Sequence, residues 1–143
     1  MKFNSLIPEL KVTDFTKSLE FYVNMLGFKI EYKRHKPKFA FLSFQGSQIM
    51  LEEINDNWKT GKLEYPFGRG IHLQIKIKDI KSLLKSLNLH KYPMFIELHE
   101  KWYRKNKLLL GNRQFLIKDP DGYLLRFFED LGIKSTKIVK RLK

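Results

Sequence analysis

The chain contains no cysteine, so a thiol nucleophile, a thiolate metal ligand and a disulfide are all excluded. Ser5, Ser18, Ser43, Ser47, Ser82, Ser86 and Ser135 sit in no Gly-x-Ser-x-Gly elbow that would expose a nucleophile. Gly68-Arg69-Gly70 lacks the Gly-x-x-x-x-Gly-Lys frame, and no strand precedes it, so it is not a phosphate loop. His35, His90 and His99 stand alone and read as surface residues. What remains is His72, a set of carboxylates and a set of planar side chains. Glu9, Glu52, Glu53, Asp56, Glu64, Glu97 and Glu100 could line an acidic groove. Trp58, Tyr65, Phe67, Trp102 and Tyr103 fall outside the helix-facing pattern, near a Gly/Pro-containing join or before Gly111. Flat side chains in a cleft stack on planar ligands at little entropic cost. Packing of long loops or of a dimer seam would use the same residues, and both readings stay open.

The elements that must position these groups come from an internal repeat. Leu10-Lys11-Val12-Thr13-Asp14-Phe15 and Ile75-Lys76-Ile77-Lys78-Asp79-Ile80 share a period-two strand, then Asp, then an apolar residue, at an offset of 65. Each Asp is placed to accept hydrogen bonds from the orphan N–H groups of a helix start. Phe15, Leu19, Tyr22 and Leu26 then recur at helical spacing up to Gly27, a left-handed stop. Ile80, Leu83, Leu84 and Leu87 do the same, with Asn88 as the expected stop.

A second match, at an offset of 74, pairs Phe41-Leu42 with Phe115-Leu116 and Ile49-Met50-Leu51 with Tyr123-Leu124-Leu125. The first turn centres on Gly46-Ser47 and the second on Asp119-Pro120-Asp121-Gly122, where Pro sets φ and Gly accepts φ > 0. Room remains for one more strand in each half, over 28–34 and 94–101. The fold class is therefore α+β: two βαβββ repeats whose curved sheets surround a cleft. The expected organisation is a first module over 1–54, a linker over 55–69, a second module over 70–130 and a basic tail over 131–143. One helix covers only one face of a four-stranded sheet. The other face must meet another half, which encloses a ligand cleft and predicts pairing across a homodimer.

This arrangement, with Phe21-Tyr22, Leu26-Gly27-Phe28 and the Asp119–Gly122 turn, resembles the vicinal-oxygen-chelate superfamily: glyoxalase I, extradiol dioxygenases, fosfomycin-resistance enzymes and bleomycin-resistance proteins. Within it the resemblance is to bleomycin-resistance proteins above all. Ile7-Pro8-Glu9-Leu10 leading to Asp14 is similar to their opening strand. Gly111-Asn112-Arg113-Gln114-Phe115 looks like their Trp-Gly-x-Arg-Glu-Phe segment, with Leu110 in place of the Trp and Gln114 in place of the Glu.

The resemblance implies four metal-ligand positions, which fall here on Ile7, Glu52, His72 and Arg126. A divalent site needs about three N or O donors and an open position. An alkyl group and a guanidinium stand at two of the four, so no metal site and no cofactor are expected. Glu52 and Arg126 then read as an ion pair filling the vacated space. The resemblance implies a non-catalytic homodimer that sequesters a planar drug or metabolite, of bleomycin type, in a cleft at the subunit interface. Its candidate lining is Glu9, Glu52, His72, Gln74 and Arg126 with the five aromatics above. The alternative is a metal-dependent lyase or dioxygenase like glyoxalase I with an altered ligand set.

With 143 residues and 43% hydrophobic content the chain can bury a sizeable core, and 14% aromatics argue against disorder. No apolar run approaches the ~18–20 residues of a membrane helix, and the start has no signal-peptide core, so a cytoplasmic protein without a membrane partner is expected. The net charge of +13 comes from 28 Lys+Arg against 15 Asp+Glu, and 22 of the 28 are Lys. Phosphate and base readers lean on the planar fork of Arg, so a lysine-rich solvated surface is the reading adopted and nucleic acid is not the expected partner. A nucleic-acid or anionic-metabolite binder stays as a third alternative, whose sign would be steep salt dependence.

Overall fold

A computed structural model describes residues 1–136. The first unit comprises β1 (Glu9–Val12), α1 (Phe15–Leu19) continuing as a π-helical stretch (Glu20–Met25), β2 (Lys29–His35), β3 (Lys38–Phe44) and β4 (Ser47–Glu53). The second comprises β5 (His72–Lys76), α2 (Ile80–Leu89), β6 (Ile96–Lys105), β7 (Leu108–Lys118) and β8 (Leu124–Ser135). Each unit folds into one four-stranded mixed sheet. Sheet A runs β1-β4-β3-β2 and sheet B runs β5-β8-β7-β6, with the first strand of each parallel to the last and the rest antiparallel. Two βαβββ units are thus present, as the repeat requires.

Both helices start where the sequence predicts. Asp14 accepts from the Lys17 N–H at 3.1 Å, and Asp79 accepts from the Ser82 N–H at 3.1 Å and the Ser82 hydroxyl at 2.6 Å. The first helix widens into π geometry after Leu19, which turns the consecutive aromatics Phe21 and Tyr22 both into the interior. Gly27, at φ +91, then ends it. The second helix does not stop at Asn88 but runs to Leu89. His90 caps it, and Lys91, at φ +52, reverses the chain so that the Tyr92 N–H reaches the Leu87 carbonyl.

β6 begins and ends later than the 94–101 span expected. β8 runs on through Ser135, so 131–135 of the expected tail are strand; Thr136 follows, its N–H on the Lys107 carbonyl, and 137–143 lie outside the described residues. The linker over 55–69 carries no strand or helix.

One core serves both sheets. Leu10, Val12, Ala40, Leu42 and Leu51 of sheet A, Ile75, Phe115, Ile117, Leu125 and Phe127 of sheet B, and Tyr22, Ile80 and Leu87 of the helices form a single buried cluster. Fully burying side chains of this size contributes roughly 1.5–3 kcal/mol each. The units are stitched at the Asp119–Gly122 turn. There the Tyr22 hydroxyl donates to Asp119 at 2.7 Å, the Thr13 hydroxyl to Asp121 at 2.5 Å, and the Tyr123 hydroxyl to the Lys11 carbonyl at 3.0 Å. Each sheet therefore spends its helix-covered face on the shared core. The faces opposite point outward on different sides of the chain.

Candidate functional site

Strand alternation that sends Leu10, Val12 and Leu51 inward sends Glu9, Lys11, Met50 and Glu52 to the open face of sheet A. Phe39 and Phe41 of β3 and Tyr32 of β2 continue that face across the sheet. The Tyr32 ring stacks on Phe41 at 5.4 Å and an 11° interplanar angle, and Arg34 lies 4.1 Å from the Phe39 centroid. The chain start folds back over this row. Phe3 meets Phe41 edge-on at 5.3 Å, while Asn4 donates to Gln48 and to the Gly46 carbonyl.

The charges on this face are organised around Glu52, which is 8% exposed. Lys11 donates to its carboxylate and, at 3.0 Å, to Asn55. Burial pushes the Glu52 carboxyl up, but the hydrogen bond and charge of Lys11 outweigh it, and the net direction is down. Glu9 moves the other way: burial and then the hydrogen bond and charge of Glu52 raise it. Of the two, Glu9 is therefore the more readily protonated. Removing Lys11 would strand Glu52 beside a second carboxylate. Lys11→Ala is expected to cost about 2–3 kcal/mol of stability, and the double change Lys11→Ala with Glu52→Gln less than the single one. Urea melts of the two variants check this; simple additivity would show that the pair is not coupled.

The open face of sheet B carries His72 and Gln74 of β5, Arg126 of β8, Gln114 of β7, and His99 and Tyr103 of β6. Arg126 donates to Gln74, and its guanidinium carbon lies 5.7 Å from the Tyr103 ring centroid. The Gln114 side-chain nitrogen stands 2.7 Å from the Tyr103 hydroxyl and 3.1 Å from His99 Nε2. Gln114 Oε1 and Arg126 Nε are buried and have no partner.

The sequence-predicted residues divide between these faces and other places. Glu9 and Glu52 come together on sheet A; Gln74, Arg126 and Tyr103 come together on sheet B, with the exposed His72 two residues before Gln74. The Glu52–Arg126 ion pair is not formed within the chain, because the two residues project from open faces on opposite sides of the shared core. Strand register also separates them. Glu9 lies beside Met50, whereas its repeat counterpart Gln74 lies beside Arg126, so Glu52 stands two residues further along its strand than the counterpart of Arg126.

Phe67 is core, edge-on to Tyr123 at 5.8 Å. Trp102 points to the side of β6 opposite Tyr103, over Gly111, with Lys134 3.9 Å from its ring. Trp58 and Tyr65 project from the linker, 84% and 60% exposed. Sequence reasoning missed Lys11, Tyr32 and Gln114, and read His99 as surface. Counting by twos from Glu9 would have found Lys11, but Tyr32 follows a bulge between Ile30 and Tyr32 that breaks the count.

A divalent metal, as the enzymes of the resembling superfamily hold, does not fit these side chains. Ile7 offers no donor, Glu52 is already held by an ammonium group, and Arg126 is itself a cation. Among the described residues, no three His, Asp or Glu side chains gather.

Residues 7–127 match the Glyoxalase/Bleomycin resistance protein/Dioxygenase superfamily. A bleomycin resistance protein of Geobacillus stearothermophilus is 28% identical over 139 residues, which cover 87% of this chain and 96% of that protein. A probable lactoylglutathione lyase of Synechocystis is 35% identical over 132 residues, 88% of this chain and 95% of that protein. In three dimensions, a glyoxalase/bleomycin resistance protein/dioxygenase from Alicyclobacillus acidocaldarius superposes with a TM-score of 0.63 at 24% identity, over 90% of this chain and 92% of that one. Repeat, register and sequence agree, and the chain belongs to the glyoxalase/bleomycin resistance protein/dioxygenase superfamily.

Proposed function

We propose that the protein is a small-molecule binding protein that acts as a homodimer, without a metal. In this reading the open face of sheet A in one chain closes on the open face of sheet B in another, and a planar aromatic drug or metabolite is held between them. The observation that carries it is Arg126, a fixed cation at the position where the resemblance places a metal ligand. Tyr32, backed by the buried Phe39 and Phe41 on one wall, and Tyr103 on the other supply flat surfaces for stacking. The likeness to a bleomycin resistance protein supports sequestration of a bleomycin-type ligand. The +13 charge would slow association with a cationic drug and speed it with an anionic one, so the likeness supports sequestration of a planar ligand rather than a cationic one.

The 35% identical probable lactoylglutathione lyase favours a second reading, a metal-dependent lyase with a changed ligand set. Two measurements separate the readings. Sedimentation at micromolar concentration should give a dimer of the 17.2 kDa chain, and elemental analysis after purification without added metal should give well under one Zn, Ni, Fe or Mn per chain. One tightly held metal per chain, lost in His72→Ala, would establish the enzyme reading instead. A monomer would remove the intersubunit cleft.

A further inference from the structure

Sheet B exposes a charge without a counter-charge. Arg126 sits mid-strand, between Gln74 of β5 and Leu116 of β7. Its only hydrogen bond among the described residues runs to a neutral amide, and its Nε is buried without a partner. None of the ion pairs among those residues includes it, although Arg113, Lys11 and Lys76 all find carboxylates. Beside it, Gln114 is 4% exposed and leaves Oε1 without a donor. Turning that amide over would leave its nitrogen orphaned instead, so one polar atom stays unmatched either way. Tyr103 ties the two together: its hydroxyl bonds Gln114 and its ring faces the guanidinium.

Buried polar atoms left unpaired are costly, and a half-buried unpaired guanidinium more so. Such a group is the fitting receptor for an oxyanion, because its planar N–H donors match a carboxylate two at a time. The sheet A wall offers no such free cation, since Lys11 is already paired with Glu52 and Arg34 lies over the Phe39 ring. We propose that the ligand of this cleft is a planar aromatic carboxylate, whose oxyanion is received by the Arg126 guanidinium. The inference rests on the cleft-binding reading above and names its ligand class.

The test uses two probes on the full chain, 1-naphthoate and its neutral counterpart 1-naphthamide, titrated by NMR. Naphthoate should bind at least about tenfold more tightly, with the preference shrinking as salt rises. Arg126→Gln should abolish the preference and Arg126→Lys should keep part of it, with thermal melts confirming that both variants fold. Equal affinity for the two probes, or a preference that survives Arg126→Gln, overturns the proposal while leaving ring binding in place. Failure of both probes to bind overturns the cleft reading and the proposal with it. Dissociation of the dimer by Arg126→Gln and by Glu52→Gln alike would assign Arg126 to a contact between subunits, and also overturns it.

Discussion

Replacing Asp119 with alanine should lower the free energy of unfolding by about 3–5 kcal/mol, because each buried donor left without an acceptor costs about 1–3 kcal/mol. Three donors converge on this carboxylate: the Tyr22 hydroxyl at 2.7 Å and the Asp121 and Tyr123 N–H groups, each at 2.9 Å. Asp119 is 2% exposed and Tyr22 is fully buried. The loss also uncouples the helix of the first unit from the last hairpin of the second. Burial raises the Asp119 carboxyl from 3.8 to about 6, against the pull of its three donors, which favour the charged form.

The consequence for pH follows from which state holds the proton. Above 3.8 the unfolded chain has released it, while the folded chain keeps it until about 6. Stability from this group therefore falls as pH rises through that window, by up to about 3 kcal/mol, and is flat above it. Asp119→Asn keeps an oxygen for the two N–H groups and cannot titrate. Its stability should lack this slope. Guanidinium melts between pH 4 and 8 of both proteins check the point; the same slope in the variant would assign the titration to another group.

Gly122→Val is the second large effect. The residue takes φ +91, and a Cβ there would stand 2.5 Å from Pro66 Cα and 2.6 Å from Pro66 Cβ. The left-handed backbone alone costs a side chain about 1–2 kcal/mol, and overpacking adds about 1–3. Because the opposing atoms include backbone, they cannot swing aside, and we expect a total of about 4 kcal/mol. Gly46→Ala is the control: φ is +87 but nothing lies within 4 Å, so only the backbone cost of about 1 kcal/mol should appear. Comparable losses in the two variants would show that the linker does not press on the turn. The comparison matters because the Phe67 N–H donates to the Asp121 carbonyl at 2.9 Å, which docks the linker onto the same turn that joins the units.

Local chemistry made much of this protein legible from residues alone. Asp14 and Asp79 mark helix starts because a carboxylate satisfies orphan N–H groups wherever the chain folds. Gly27 marks a stop because only glycine enters the left-handed region without strain. The period-two runs around Leu10, Leu51, Ile75 and Leu125 determined which residues face a core, and the repeat determined that there are two equivalent units. Family membership followed from those same local signals in order.

What tertiary structure alone decided is how the groups meet. Glu52 and Arg126 occupy positions that the sequence repeat treats as equivalent. Yet both units spend their helix-covered faces on one shared core, so the two side chains point away from each other, and Lys11 and Gln74 become their partners. Phe67 and Tyr103 are both aromatics near irregular stretches, and only packing shows that one fills the core while the other lies under a guanidinium. Periodicity reports which way a residue faces on its own strand. It carries no information about what stands across from that face, because that depends on how separate sheets are brought together.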